Sequence, residues 1–315
     1  MTGYLIRRVL LIVPTLIGVT VLISLVVRVL PGDIVSLMLA EQGFGNRDRA
    51  ALAHELGVDR PWPAQYWQWA SKAARGDLGR SLRTKRPVGD EMKRRLPITL
   101  ELGGLALLLS LLISLPTGVV AAVKQNSPID YLMRSAAIGA LAIPGFWFAT
   151  LVVVWPAIWF HWSPSISYTG FFDDPAANLG QVIIPAALLS LALTGGTMRI
   201  TRSMMLEVMR QDFVRTAQAK GLPAVVVILR HAIRNAAIPV VTVIGLQIPI
   251  LVGGSVVFES IFSLPGVGQF LLNALQNRDY TVVQGIDLVF AIMVIGTNLL
   301  VDSLYPVLDA RVRLS

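Results

Sequence analysis

Long apolar stretches alternate with short polar ones along this chain, and six of the apolar stretches are long enough to cross a bilayer. A helix rises ~1.5 Å per residue, so ~20 consecutive apolar residues cover the hydrocarbon. Val9–Leu30, Ile98–Val123, Ser135–Phe160, Gln181–Met198, Ala236–Phe258 and Gln284–Pro306 satisfy that length. They predict an all-α, polytopic membrane protein of about six spanning helices. Arg28 interrupts the first stretch only near its end, where a long side chain can snorkel to the interface. That stretch is too long for a signal peptide, and Leu30-Pro31-Gly32-Asp33 is no small-residue cleavage site. Arg7-Arg8 lacks the rest of a twin-arginine signal, so the segment reads as a retained anchor. Pro116, Pro144, Pro156, Pro185 and Pro249 fall inside the stretches, and each removes a backbone donor and predicts a kink. Lipid tolerates this where neighbouring helices or a water-filled cavity supply the missing partner.

Composition agrees with the pattern. Of 315 residues, 54% are hydrophobic and 15% charged, with a mean hydropathy of +0.66. A soluble domain carries about a quarter charged residues, so the shortfall points to lipid. The absence of cysteine removes disulfides and thiolate metal sites but leaves the redox compartment open. The net charge of +8 does not call for nucleic acid, because no basic run is interleaved with aromatics as strand-binding surfaces require. Contact with cytoplasm and anionic lipid produces the same excess.

The basic residues also orient the chain. With the N-terminus inside, the cytoplasmic side holds Arg7, Arg8, Lys124, Arg134, Arg199, Arg202, Arg210, Arg215, Lys220, Arg230, Arg234, Arg311 and Arg313. The opposite short loops, 161–180 and 259–283, hold only Arg278, so both termini are expected in the cytoplasm. The segment 31–97 is basic yet falls outside; it is roughly 60–70 residues long, where loops translocate regardless of charge. Three parts follow: an N-terminal anchor helix (1–30), an extracytoplasmic lobe (31–97) and a core membrane domain (98–315) that contains the polar loop 199–235. Within the lobe, Leu52–Leu56 followed by Gly57 predicts a short helix with a glycine stop. Trp62, Tyr66, Trp67 and Trp69 then form either a headgroup belt or a partner-docking surface.

The loop 199–235 is the most informative stretch. Met205, Met209, Phe213 and Ala217 recur every four residues as one apolar stripe, with Arg202, Arg210, Asp212, Arg215 and Gln218 on other faces. Lys220 closes the last turn, Gly221 falls at a left-handed cap, and Pro223 suits the first position of a new helix. The prediction is helix, sharp turn, helix. The second helix opens on the wholly apolar run 224–229, but Arg230, His231 and Arg234 follow at once. Each arginine would cost ~2.5–3.5 kcal/mol at the bilayer centre, so the run must bury against something at the membrane surface. An apolar patch rimmed by charge marks a protein contact; a return onto the chain's own bundle is the alternative.

These residues also carry a resemblance. Phe213-Val214-Arg215-Thr216-Ala217-Gln218-Ala219-Lys220-Gly221-Leu222, Arg230-His231-Ala232-Ile233-Arg234-Asn235 and Ile238-Pro239-Val240-Val241-Thr242 resemble the coupling loop of ATP-binding-cassette importer permeases, in particular the dipeptide, oligopeptide and nickel group. In that superfamily a Glu-Ala-Ala-x-x-x-Gly loop forms a short helix docked in a cleft of the ATPase. Arg215-Thr216-Ala217 stands at the Glu-Ala-Ala place, and the apolar 224–229 run departs from the charged residues often found there. The start of the chain, Tyr4-Leu5-Ile6-Arg7-Arg8 through Leu30-Pro31-Gly32-Asp33, looks like the longer, B-type partner. So do Leu56-Gly57-Val58-Asp59-Arg60-Pro61, Gly76-Asp77-Leu78-Gly79-Arg80-Ser81 and Leu96-Pro97-Ile98-Thr99-Leu100-Glu101. Phe258-Glu259-Ser260-Ile261-Phe262-Ser263-Leu264-Pro265-Gly266-Val267-Gly268, Arg278-Asp279-Tyr280 and Val283-Gln284-Gly285 match later family segments.

The resemblance implies the type I importer permease fold in a bacterial plasma (inner) membrane. It also implies a heterodimer with a C-type permease, two cytoplasmic ATP-binding subunits and an extracytoplasmic solute-binding protein. ATP and Mg would be bound by the ATPase subunits, with no cofactor in this chain. The cargo would be di- or oligopeptides or related small solutes. The implied ATPase-coupling residues are Phe213, Arg215, Thr216, Ala217, Lys220, Gly221, Leu222, Pro223, Arg230 and His231.

Catalytic signatures are missing from the sequence. There is no Gly-x-x-x-x-Gly-Lys-Ser/Thr loop, no His-Glu-x-x-His and no Gly-x-Ser-x-Gly, and His54, His161 and His231 have no metal-ligand spacing. The chain is therefore expected to be non-catalytic. Gly253-Gly254-Ser255 suits close helix packing. Arg28, Glu101, Asp287 and Asp302 lie near helix ends, and no acidic relay or inverted repeat is visible. That absence counts against the alternative class, an ATP-independent secondary transporter or channel. Thr242, Gln247 and Asn298, with Thr297, sit deeper and either line a translocation path or join helices by hydrogen bonds.

Overall fold

A computed structural model describes residues 2–29, 32–42, 49–165 and 167–308. Leu30, Pro31, Arg311 and Arg313 lie outside the described residues, as do the side chains of Arg7, Arg8, Asp302 and Pro306. The helices are α1 (Thr2–Val29), α2 (Ile34–Gln42), α3 (Arg49–Leu56), α4 (Trp62–Ala73), α5 (Val88–Val123), α6 (Pro128–Ala142) and α7 (Gly145–Phe160). They continue as α8 (Pro175–Met209), α9 (Asp212–Ala219), α10 (Ala224–Val226), a π-helical turn (Val227–Ala232), α11 (Ile233–Ile261), α12 (Val267–Gln276) and α13 (Tyr280–Leu308). The chain divides into two compact units, Met1–Thr99 with Pro265–Gly296, and Leu100–Leu264 with Thr297–Leu314.

Among the described residues five helices are long and apolar enough to cross a membrane: Leu10–Val29 within α1, α5, α8, Pro239–Ile261 within α11 and Tyr280–Val301 within α13. The sixth stretch, expected as one helix over Ser135–Phe160, is instead the pair α6 and α7, bent by 87°. Pro144 explains the break. Its ring forces the residue before it out of the helical region, and Ile143 accordingly sits at φ −87°, ψ 122°. Pro144 also offers no N–H to continue the ladder and becomes the N-cap of α7.

In the first unit α1 is inside out by soluble standards. Thr20, Ser24 and Val27 are buried, while Leu10, Leu11, Val13, Ile17, Leu22, Leu25 and Val26 are exposed. Lipid accepts the aliphatic face, and the hydroxyls take partners on α4. Trp62 Nε1 donates to Ser24 Oγ at 3.0 Å, and Tyr66 OH lies 2.9 Å from Thr20 Oγ1. Trp62, Tyr66 and Trp69, at i, i+4 and i+7, form one row with centroids 6.1 and 6.4 Å apart. Three of the four aromatics expected at headgroups or at a partner are thus committed to this row, and only Trp67 is left exposed. The predicted glycine stop is present. Gly57 has φ +68°, with Gly57 N bonded to His54 O and Val58 N to Ala53 O, the two bonds of a Schellman cap.

Two resemblance segments far apart in sequence meet in this unit. Buried Asp279 accepts from Ser81 Oγ at 2.5 Å and from Leu82 N at 3.1 Å. Gly79, at φ +85°, lets the backbone close in: a Cβ there would stand 2.7 Å from Thr281 Cγ2. Beneath this joint Val88, Met92, Val267, Val282, Val283 and Ile286 form an apolar core with Val27.

In the second unit α6 and α11 both pack along α8. Small residues set the spacing. A Cβ on Gly118 of α5 would lie 2.7 Å from Thr201 Cβ, and one on Gly195 of α8 would lie 2.6 Å from Ala137 O. Gly254 likewise faces Leu189, 3.1 Å away. After α7, Tyr168 OH donates to Glu101 Oε2 at 2.6 Å. Burial, reinforced by that carboxylate, pushes the Tyr168 hydroxyl above its ordinary pKa.

Candidate functional site: the basic hairpin between α8 and α11

The hairpin begins where α8 stops at Met209. Arg210 caps it, and Gln211, extended at φ −77°, ψ 152°, starts α9. This turn resets the helical phase, so the expected four-residue stripe does not run through. Met205 is buried and Met209 half-buried on α8, but on α9 the buried pair is Val214 and Ala217, and Phe213 points outward. Val214 and Ala217 pack with Met205, Val208, Val227, Ala232, Ala236 and Ala122 in one apolar cluster.

The end of α9 follows the sequence closely. Lys220 is its cap, Gly221 lies at φ +76°, Gly221 N donates to Gln218 O at 2.9 Å and Leu222 N to Ala217 O at 3.3 Å. This is again a Schellman motif, which a left-handed residue is needed to close. A Cβ on Gly221 would meet nothing within 4 Å, so the demand for glycine is conformational alone. Pro223 stands one place earlier than expected. It is extended at φ −57°, ψ 140°, and its carbonyl accepts from Val227 N at 3.1 Å, which makes it the N-cap of α10.

The next turn is a π turn, not the α geometry that the run of aliphatic residues suggests. Ile233 N donates to Ile228 O, five residues back. Asn235 Nδ2 donates to His231 O at 2.7 Å and satisfies a carbonyl of the widened turn. Such turns occur mostly singly and are frequent at functional sites. Arg230 on it is exposed and His231 half-buried. Val227 is buried, but Val225 and Leu229 remain 63% and 62% exposed, so most of the apolar run finds no cover within the chain.

The outer surface therefore mixes Phe213, Leu222, Val225 and Leu229 with exposed Arg215, Lys220, Arg230 and Arg234. Arg215 lies 3.6 Å from Asp212, both strongly exposed, a pair worth about 0–1 kcal/mol. Thr216 is exposed and bonds Asp212 O at 2.9 Å. The structure brings all ten expected coupling residues onto this one hairpin, with only Ala217 turned inward and His231 between the two faces.

One pair at its base was not foreseen. Arg202 of α8 holds the fully buried Asp130 of α6 with two bonds of 2.7 Å, and Asn126 N donates to the same carboxylate at 2.9 Å. The sequence signal was the Ser127-Pro128-Ile129-Asp130 capping pattern; Ser127 Oγ accepts from Asp130 N at 3.3 Å.

The polar residues expected along a path are scattered. Gln247 of α11 is buried and donates to Thr197 Oγ1 of α8 at 2.6 Å, an interhelical bond. Thr242 is half-buried, and Asn298 of α13 is exposed. Among the described residues no group of three or more His, Asp or Glu side chains could hold a metal ion. His54 instead bonds Asp59 at 2.8 Å, and His161 forms the left-handed cap of α7.

A short helix, a left-handed corner and a wide turn join two membrane helices through one shared core and present a surface suited to another protein. The fold recurs in solved ABC transporters. It is shared at a TM-score of 0.57 and 15% identity with inward-facing MetNI methionine ABC transporter, covering 69% of this chain and 96% of that one. An amino acid ABC transporter with histidines gives 0.54 at 13% identity, over 69% and 93%. The fold is the type I ABC importer permease fold.

The chain belongs to the family described as binding-protein-dependent transport system inner membrane component, whose model matches residues 114–314, with its N-terminal counterpart over residues 1–103. It is therefore a multi-pass inner-membrane component of an ABC transporter. It is similar to the dipeptide transport system permease protein DppB of Escherichia coli (strain K12), 39% identical over 338 residues and 99% of each chain. A putative peptide transport system permease protein of Brucella abortus (strain 2308) is 39% identical, again over 99% of each. The oligopeptide transport system permease protein AppB of Bacillus subtilis (strain 168) is 36% identical over 99% of this chain and 100% of its own.

Proposed function

We propose that this chain is the B-type permease subunit of an ATP-driven importer that passes di- or oligopeptides or related small solutes across the inner membrane. The hairpin 199–235 is read as the cytoplasmic handle through which separate subunits, holding ATP and Mg, move α8 and α11. Both termini then lie in the cytoplasm, the segment 31–97 outside, and the partners are a C-type permease, two ATPases and an extracytoplasmic binding protein. Thr242, Gln247 and Asn298 are the path residues of this reading. The chain itself catalyses nothing.

The observation that carries the reading is the hairpin's outer face, where Phe213, Leu222, Val225 and Leu229 stand exposed among Arg215, Lys220, Arg230 and Arg234. Lipid rejects the arginines and water rejects the aliphatics, so a protein surface is the remaining solvent. Full-length relatives named as peptide permeases supply the solute class.

Gly221→Val tests the handle. A β-branched residue at φ +76° costs about 1–2 kcal/mol and has open space for its side chain, so the corner distorts without a clash. Uptake of a labelled dipeptide by the assembled transporter should fall at least about tenfold, and solute-stimulated ATP hydrolysis should fall with it. Wild-type uptake and stimulation in this variant would defeat the coupling role.

A further inference from the structure

A second polar feature lies wholly within the first unit. A cavity of about 370 Å³ opens among α3, α4, the 79–82 segment and the start of α13. Its volume falls in the roughly 300–1,000 Å³ range of small-molecule sites. Four groups on its wall are unaccounted for. Trp69 is 8% exposed, and its buried Nε1 has no hydrogen-bond partner. Gln284 is 6% exposed, and its side chain makes no hydrogen bond among the described residues. Lys72 and Arg80 likewise make no side-chain bond or ion pair among the described residues.

The remaining charges on the wall are spoken for. Arg28 bonds Ser24 and, at 2.6 Å, Gln65 Oε1, and it lies over the Tyr280 ring. Arg60 reaches Gln68 at 3.2 Å. Glu55 is the one acid lining the cavity, and Lys85 takes it at 3.5 Å. What is left over is one indole donor, one amide and two free cations: a donor-rich, net positive recess. An indole N–H only donates and an ammonium or guanidinium never accepts, so this set is complementary to an anion. A planar carboxylate suits the mix of forked guanidinium and single donors. Gly79, whose Cβ would approach both Thr281 and the Trp69 ring, keeps the wall open beside the indole.

We propose that this cavity binds the carboxylate of a small solute, the free carboxy terminus of a short peptide in particular. Arg80 and Lys72 neutralise it, while Trp69 Nε1 and the Gln284 amide fix its orientation. The choice of a peptide rests on the importer reading above; the choice of a carboxylate rests on the cavity alone.

The test is titration calorimetry on the purified full-length chain in lipid nanodiscs, with alanyl-alanine, its C-terminal amide and inorganic phosphate as probes. Alanyl-alanine should bind, and the amide at least about tenfold more weakly, as expected for losing hydrogen bonds to a charged group. Trp69→Phe, which keeps the ring and removes the N–H, and Lys72→Gln with Arg80→Gln should each weaken alanyl-alanine about tenfold with unchanged unfolding temperature. Equal binding of acid and amide, undiminished binding in both variants, no binding up to millimolar probe, or phosphate binding more tightly than the dipeptide would each overturn the proposal. The assay needs no ATPase and no uptake. A failed Gly221→Val experiment with intact dipeptide binding therefore refutes the handle, and the converse refutes only the cavity.

Discussion

The outward face of α1 and the outward face of the 212–230 hairpin are both apolar and uncovered, yet they pose different problems. On α1 the exposed residues from Leu10 to Val26 are apolar apart from Thr15, whose hydroxyl bonds Leu11 O of its own helix, and Thr20 and Ser24 are turned inward onto α4. Hydrocarbon satisfies such a face completely. On the hairpin, Val225 and Leu229 are as exposed as Leu22, but exposed Lys220 and Arg230 flank their run, with Arg215 and Arg234 exposed on either side. Neither hydrocarbon nor water satisfies that mixture. Exposed area does not distinguish lipid from partner; the spacing of charge within it does.

Three substitutions sharpen this contrast, beginning with the one that should matter most. Asp130→Ala strips the hairpin's base of its carboxylate and leaves the Arg202 guanidinium unpaired, which should cost about 3–5 kcal/mol. Unfolding in mixed detergent micelles measures it, and a loss below about 1 kcal/mol would show that the pair carries little. Leu22→Arg places a charge in the middle of the lipid face of α1 and should cost about 2.5–3.5 kcal/mol of insertion free energy. Glycosylation mapping of the inserted fraction reads this directly. Val225→Lys makes the same kind of change on the hairpin and should shift stability by less than about 0.5 kcal/mol. Its effect should appear as lost ATPase association in a pull-down of the assembled complex. Equal destabilisation by Leu22→Arg and Val225→Lys would erase the distinction between the two faces.

Local demands were legible in the sequence, and distant ones were not. Gly57 and Gly221 were readable because a helix end that needs a left-handed residue shows it within five positions. Pro144 announced a disturbance, but a kink and a break share the same sequence signal, and only the structure shows the helix ending there with an 87° bend. The outward turn of Phe213 was hidden because the corner at Arg210–Gln211 contains neither proline nor glycine, and a four-residue count runs straight through it. Arg202 was visible as a loop cation, but Asp130 was not singled out, and nothing local joins residues 72 positions apart. The Ser81–Asp279 bond, across 198 positions, is hidden for the same reason, although both segments had been singled out by resemblance. The bond from Gln247 to Thr197, across 50 positions, is hidden in the same way.

The π turn at Val227–Ala232 leaves one more mark on the chain. It holds a residue that an α-helix would not, so the backbone re-enters α11 about 100° out of step with a count taken from Pro223. Excising one residue inside this turn would restore an ordinary helix and keep Ala232 and Ala236 facing Met205, whereas the same excision within α8 would swing every later side chain off its neighbours. The chain thus carries a spare rung between α10 and α11, and length variation in this stretch is best absorbed there.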